Sequence, residues 1–187
     1  MTNNQIITGS LRSIAQQTNK SIAETFLSCD AIVICDTSGS MGAQDSRGGK
    51  SRYDVACEEL RDLQNSLPGK IAVISFSSDV IFCPSGIPTF QQGGTDLAKA
   101  LQFVKVADVP DMHFILISDG EPDDEKSAMG AAKGFKNKID VIFVGPENRP
   151  RGRDFLNRLA AATGGQSIVA DRAKELGASV TKLLREG

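Results

Sequence analysis

From residue 30 onward, short apolar runs alternate with longer stretches in which apolar residues recur at helical spacing. This alternation is typical of βαβ units, in which helices cover both faces of a mostly parallel sheet. The sequence therefore predicts a doubly wound α/β fold with a six-stranded sheet. The turn-forming residues 77–79 predict a hairpin, which adds one antiparallel edge strand. The predicted strands are 31–35, 70–76, 80–83, 112–118, 139–145 and 167–170.

Helical patterns fill the intervals between most of these strands and follow the last one. Before the first strand, intermittent apolar residues between positions 10 and 28 predict one additional helix, which packs on the domain or on a partner. We therefore expect an N-terminal, helical extension at 1–29 and a single α/β domain at 30–187. The predicted helices of that domain are 52–67, 95–106, 123–135, 153–163 and 173–185.

Composition limits the classes of partner. The chain has 187 residues, of which 40% are hydrophobic, enough for one sizeable core. Charged residues make up 24% of the chain, the net charge is -2, and no long run has one sign, so we expect no nucleic-acid partner. The N-terminus lacks a basic segment followed by an apolar stretch, and no window approaches the roughly 18 apolar residues of a membrane span. We expect a chain that is neither secreted nor inserted in a membrane.

The cysteine and histidine content excludes a zinc-type site. The chain has four cysteines without a C-x-x-C pair and one histidine, so any metal site must be built from oxygen ligands. Cys35 lies in an apolar run and Cys57 in a helical pattern, where a thiol behaves as a small hydrophobic group. We expect all four thiols to be reduced, which fits a cytoplasmic protein.

Three loops carry many oxygen-bearing side chains. In open α/β sheets, ligands bind beyond the carboxyl ends of the strands, where the strand order reverses. Two of the loops directly follow predicted strands and the other opens a helix, so we expect all three to converge. They are Asp36-Thr37-Ser38-Gly39-Ser40, Gly93-Gly94-Thr95-Asp96 and Ser118-Asp119-Gly120.

The side chains of these loops predict a site for a hard cation. Hydroxyl and carboxylate oxygens suit Mg²⁺, with Mn²⁺ or Ca²⁺ as alternatives, and are poor ligands for soft metals. Three of the five candidate ligands are neutral hydroxyls, so a divalent ion would keep a net attraction for an anion. We expect an open coordination position to capture a carboxylate from another molecule. The candidate ligands are Asp36, Ser38, Ser40, Thr95 and Asp119.

These residues resemble a known family. The segment Asp36-Thr37-Ser38-Gly39-Ser40 is similar to the Asp-x-Ser-x-Ser element of von Willebrand factor A domains, and Thr95 and Asp119 match its threonine and aspartate elements in the family's order. The resemblance covers roughly residues 30–185. It implies a complete metal-ion-dependent adhesion site that binds a partner's Glu or Asp, a centrally placed first strand, and a last helix that moves in several relatives. It also suggests an accessory of an AAA+ ATPase or of a stress or defence system.

Other interpretations remain open. A metal-dependent hydrolase or phosphatase would use the same strand-end carboxylates, but a haloacid-dehalogenase-like enzyme needs a second Asp where Ser38 stands. Alternatively, the site is vestigial and the chain is structural. An acidic cluster near the site is either a helix N-terminus or a secondary cation site, and an arginine group is either a solvated face or a phosphate patch. The acidic cluster is Glu121, Asp123, Asp124 and Glu125, and the arginines are Arg149, Arg151, Arg153 and Arg158.

Overall fold

A six-stranded sheet forms the centre of the computed structural model, which describes residues 5–146 and 150–169. Its order is β3-β2-β1-β4-β5-β6, and all neighbouring strands are parallel except β2 and β3. The predicted α/β sheet with one antiparallel edge strand is therefore confirmed. The strands are β1 (Ala31–Asp36), β2 (Ile71–Phe76), β3 (Val80–Phe82), β4 (His113–Ser118), β5 (Ile139–Phe143) and β6 (Ser167–Val169).

Helices cover both faces of this sheet. Strand β1 is buried along its whole length, and its side chains alternate between two core clusters. Ile32 and Ile34 lie in one cluster, while Val33 and Cys35 lie in the other. The helices are α1 (Leu11–Thr18), α2 (Ile22–Phe26), α3 (Arg52–Ser66), α4 (Leu97–Val104), α5 (Glu125–Lys133) and α6 (Pro150–Thr163). Helices α4, α5 and α6 pack into the first cluster, and α3 packs into the second.

The N-terminal part differs from the single helix expected at 10–28. Asn19 adopts a left-handed conformation that ends α1, and Ser21 with Glu24 forms a capping box that begins α2. Both helices pack on the domain: Leu11 is 1% exposed in the core, and the rings of Phe26 and Phe82 meet edge to face at 5.7 Å.

Three helices also begin at residues other than those predicted. Helix α6 begins at Pro150 rather than at 153, because proline is well suited to a first helical position. Asp96 caps α4 by accepting a hydrogen bond from the backbone of Lys99, so this helix begins at Leu97 rather than at 95. Asp124 caps α5, which begins at Glu125 rather than at 123. The helix expected at 173–185 and the last residue of the strand expected at 167–170 lie outside the described residues. Within the described residues, no helix has both the length and the apolar character that a bilayer crossing requires.

Candidate metal site

Sheet topology places two carboxylates side by side. The strand order runs in opposite directions on the two sides of β1 and β4, which are neighbours, and such a reversal opens a crevice at the carboxyl ends of the strands. Asp36 is the last residue of β1 and Asp119 directly follows β4. Both are buried, at 0% and 3% exposure.

Asp36 organises its own loop and the next strand. Its Oδ1 accepts a hydrogen bond from the backbone N–H of Ser38 at 2.9 Å, and its Oδ2 accepts one from the Ser118 hydroxyl at 2.7 Å. The hydroxyl of Ser118 in turn accepts from the backbone N–H of Gly120 at 3.0 Å. Asp36 therefore fixes the start of the first loop and the turn around Asp119 relative to each other.

The two serine hydroxyls of the first loop lie together. After Ser38 the chain turns into a short 3₁₀ segment, Gly39–Gly42, and this turn brings Oγ of Ser38 within 3.1 Å of Oγ of Ser40. Ser38 is 1% exposed, whereas Ser40 is partly exposed. The pair thus has one hydroxyl on the protein side and one nearer to solvent.

Hydrogen bonds join the second loop to the first and to the third. The backbone N–H of Gly39 donates to the carbonyl of Gly93 at 3.1 Å. Two residues later, the N–H of Thr95 donates to Oδ2 of Asp123 at 2.9 Å, and the N–H of Asp123 donates back to the carbonyl of Thr95 at 3.0 Å. Thr95, which is 6% exposed, is thereby held between the loops that follow β1 and β4.

Asp119 has a buried cationic partner that sequence reasoning missed. Nη1 of Arg52 lies 2.5 Å from Oδ2 of Asp119, and Arg52 is 3% exposed. The other guanidinium edge binds Asp45 in a two-pronged contact, with Nε at 2.8 Å and Nη2 at 2.9 Å from its two oxygens. Hydrogen bonding to Asp45 raises the pKa of Arg52 against the effect of burial, and Asp119 reinforces this shift, so the guanidinium stays charged.

One sequence signal pointed to Arg52. It is the first residue of α3, where a positive charge opposes the helix dipole. A cation at such a position is favoured when a nearby anion compensates it. The sequence alone does not identify this partner, because Asp119 is 67 residues away from Arg52.

Close backbone contact fixes the loop after β4. Gly120 has a φ of 80°, and an added Cβ there would lie 2.1 Å from the carbonyl oxygen of Gly152 in α6. A Cβ on Gly152 would lie equally close to the carbonyl oxygen of Asp119. Two glycines therefore allow the N-terminal part of α6 to pack directly against the backbone of Asp119.

The electrostatics of the site favour an additional positive charge. Burial, followed by the nearby charge of Asp119, raises the pKa of Asp36, although hydrogen bonds from Ser38 and Ser118 act in the opposite direction. Arg52 offsets the charge of Asp119 only in part, because its other edge binds Asp45. Among the described residues, Oδ1 of Asp119 is a buried oxygen without a hydrogen-bond partner, which is costly unless something satisfies it.

The residues present fit a hard divalent cation. A six-coordinate ion with metal–oxygen distances of 2.0–2.1 Å has adjacent ligand oxygens about 3 Å apart. The 3.1 Å separation of the Ser38 and Ser40 hydroxyls matches this spacing, and the unpartnered Oδ1 of Asp119 is a further buried acceptor. Within the described residues, no group of three His, Cys, Asp or Glu side chains is placed to hold a metal, so hydroxyls are essential to this donor set.

Two residues of the acidic cluster have structural partners. Asp124 accepts hydrogen bonds from the backbone of Lys126 and Ser127, and Glu125 pairs with Arg158 at 2.8 Å. The cap and ion-pair roles support the helix N-terminus interpretation of this cluster. Arg149 lies outside the described residues.

Comparisons with known proteins give structural matches at low sequence identity. BatB, a conserved hypothetical protein from Bacteroides thetaiotaomicron, is 18% identical with a TM-score of 0.61, over 83% of this chain and 98% of that chain. An aerotolerance-related membrane protein from Bacteroides fragilis is 17% identical with a TM-score of 0.64, over 84% and 98%. The manganese-loaded TRAP protein of Plasmodium vivax is 17% identical with a TM-score of 0.57, over 79% and 72%.

These similarities establish the fold. No family model matches the sequence, and no curated protein matches it significantly. The chain has a von Willebrand factor A-like fold.

Proposed function

We propose that this chain is a metal-dependent protein-interaction module. A divalent cation, Mg²⁺ or alternatively Mn²⁺ or Ca²⁺, binds at the junction of the three loops and captures a Glu or Asp side chain of a protein partner. The observation that carries the proposal is the 3.1 Å separation of the Ser38 and Ser40 hydroxyls, in a loop that follows one of two buried carboxylates at the reversal of strand order. The manganese in the structurally similar TRAP protein is consistent with it.

Each side chain has a proposed role. Ser38, Ser40 and Thr95 supply neutral hydroxyl ligands, and Asp119 offers its unpartnered Oδ1. Asp36 acts mainly by position, because its two oxygens hold the Ser38 backbone and the Ser118 hydroxyl. The bound ion supplies a Lewis-acidic position for an incoming carboxylate.

The charge balance supports recognition of an acidic side chain. Arg52 pairs with both Asp119 and Asp45. Together with Asp36, these residues carry a net charge of -2. These residues balance a divalent cation without over-neutralising it, and its hydroxyl ligands are neutral, so an open coordination position can still bind an anion. A partner that lacks a carboxylate at the contact should bind much more weakly.

The class of protein partner is proposed from the family resemblance alone. The resemblance suggests an AAA+ ATPase, or a component of a stress or defence system, in the cytoplasm. The proposal includes neither a nucleic-acid nor a membrane partner.

The enzyme alternative has less support. A two-metal hydrolase needs several carboxylates or histidines around its ions, and no such group of three is placed together within the described residues. Turnover of a generic phosphate ester in the presence of Mg²⁺, lost in Asp36→Ala, would favour the enzyme instead.

Metal-dependent capture of partners tests the proposal. The immobilised chain is incubated with extract of the source cell in Mg²⁺ or in chelator, beside Ser38→Ala/Ser40→Ala. A partner that is retained in Mg²⁺ and released in both other conditions, and whose binding depends on one acidic residue of its own, supports the proposal. Retention under all three conditions shows that the metal is irrelevant to recognition.

A further inference from the structure

Arg52 is an unusual neighbour for a cation site. Its guanidinium is 3% exposed and contacts Oδ2 of Asp119, the carboxylate whose other oxygen is unpartnered among the described residues. A fixed positive charge this close excludes a second cation from the Oδ2 side. Asp119 can therefore offer a metal one oxygen and no more.

Asp45 fixes the guanidinium in this position by binding its other edge. Asp45 binds it through two hydrogen bonds of 2.8 and 2.9 Å, a planar two-pronged geometry that arginine forms and lysine does not. Burial and the first turn of α3 further restrict the side chain. Arg52 is thus a permanent part of the site and not a mobile surface charge.

Asp36 is restricted in a similar way. Both of its oxygens already accept hydrogen bonds, from the Ser38 backbone and the Ser118 hydroxyl. Chelation of an ion by both oxygens of Asp36 would disrupt the turn that presents Ser38. Neither carboxylate is therefore arranged for two-oxygen chelation.

This restriction distinguishes between ions. Ca²⁺ takes about six to eight oxygen ligands at 2.3–2.6 Å and often uses two-oxygen carboxylates, whereas Mg²⁺ prefers about six ligands near 2.0–2.1 Å and retains waters. We infer that Arg52 is a specificity-determining residue that makes the site select small six-coordinate ions over Ca²⁺ by withholding Oδ2 of Asp119. This inference rests on the proposed function.

Three variants distinguish the proposed role of Arg52 from a general effect of charge on metal affinity. Arg52→Gln removes the charge from Oδ2. Arg52→Lys keeps a charge but lacks the fork that spans Asp45 and Asp119. Lys50→Gln is the matched control, because it removes one positive charge two residues before Arg52 and its ion pair is with Glu58.

Isothermal titration calorimetry of the chelator-treated chain with Mg²⁺, Mn²⁺ and Ca²⁺ tests the inference. The original chain should bind Mg²⁺ and Mn²⁺ more tightly than Ca²⁺. In Arg52→Gln the ratio of Ca²⁺ to Mg²⁺ affinity should rise about tenfold, equivalent to about 1.4 kcal/mol. The ratio should rise less in Arg52→Lys and stay unchanged in Lys50→Gln. Thermal unfolding identifies a variant that fails to fold. If Arg52→Gln fails to fold, the affinity ratio of Arg52→Lys decides the test.

Two results would overturn the inference while leaving the metal site intact: an unchanged ratio in the folded Arg52 variants, or an equal rise in Lys50→Gln. If the original chain binds none of the three ions, both the inference and the proposed function fail.

Discussion

Arg52 and Asp119 form a buried ion pair, with Nη1 and Oδ2 2.5 Å apart and both side chains at most 3% exposed. Asp119 follows β4 and Arg52 begins α3, so the pair joins two elements that are far apart in sequence. It both supports the fold and leaves one oxygen of Asp119 for a ligand.

This pair predicts that loss of the charge of Arg52 destabilises the fold more than loss of the charge of Lys50. Arg52→Ala leaves two carboxylates without their buried partner, and we expect the free energy of unfolding to fall by about 3–5 kcal/mol. Lys50→Ala removes an exposed partner of Glu58 and should have little effect. Urea denaturation measures both, and equal losses would contradict the structural role of Arg52.

The close approach of α6 to Asp119 gives another prediction. Gly152→Ala places a methyl group 2.1 Å from the carbonyl oxygen of Asp119, so we expect destabilisation of about 1–3 kcal/mol and weaker metal binding. In Gly130→Ala the new methyl group meets nothing within 4 Å, and alanine should stabilise α5 by about 1 kcal/mol. Thermal unfolding and metal titration of the two variants should diverge, and parallel behaviour would show that the contact is unimportant.

Variants of two neighbouring aspartates should affect different properties: metal affinity in one case and helix stability in the other. Asp123 holds the backbone N–H of Thr95, so Asp123→Ala should lower the affinity for Mn²⁺. Asp124 caps α5, so Asp124→Ala should lower the melting temperature with little change in that affinity. The interpretation of Asp123 fails if both variants bind Mn²⁺ equally well.

Asp108 predicts a pH-dependent contribution to stability away from the site. Burial opposes ionisation, but hydrogen bonds from Lys105, Lys136 and Asn137 outweigh it and lower the pKa of Asp108 from 3.8 to about 2. Because the folded-state value is the lower one, the contribution is present above pH 4 and is lost as the pH falls through 2. It amounts to about 2 kcal/mol.

Denaturation of the original chain and Asp108→Asn from pH 7 to pH 2 measures this contribution. The stability difference between them should shrink below pH 4 by about the amount stated. A difference that stays constant with pH would contradict the assignment.

Local patterns predicted much of the fold. Apolar runs identified the six strands of the described residues, and the oxygen-rich loops after β1 and β4 lie together at the predicted edge of the sheet. The division of residues 10–28 into two helices was also readable, since Ser21 and Glu24 have the spacing of a capping box. It was missed because the apolar residues alone suggested one continuous helix.

Long-range contacts were not predictable from those patterns. The Arg52–Asp119 ion pair and the hydrogen bond between Thr95 and Asp123 join residues from distant parts of the chain. A single sequence gives the chemistry of each residue but not its distant partner. The metal ligation by Asp36, Ser38, Ser40, Thr95 and Asp119 stays a prediction.

Calorimetric titration of Mn²⁺ into the chelator-treated chain tests the central claim most directly. We predict binding at one site that is lost in Ser38→Ala/Ser40→Ala and retained in Ser66→Ala, whose exposed hydroxyl donates to a backbone carbonyl within α3. The account is contradicted if the unaltered chain binds no Mn²⁺ or Mg²⁺, or if the double variant binds as tightly as the unaltered chain.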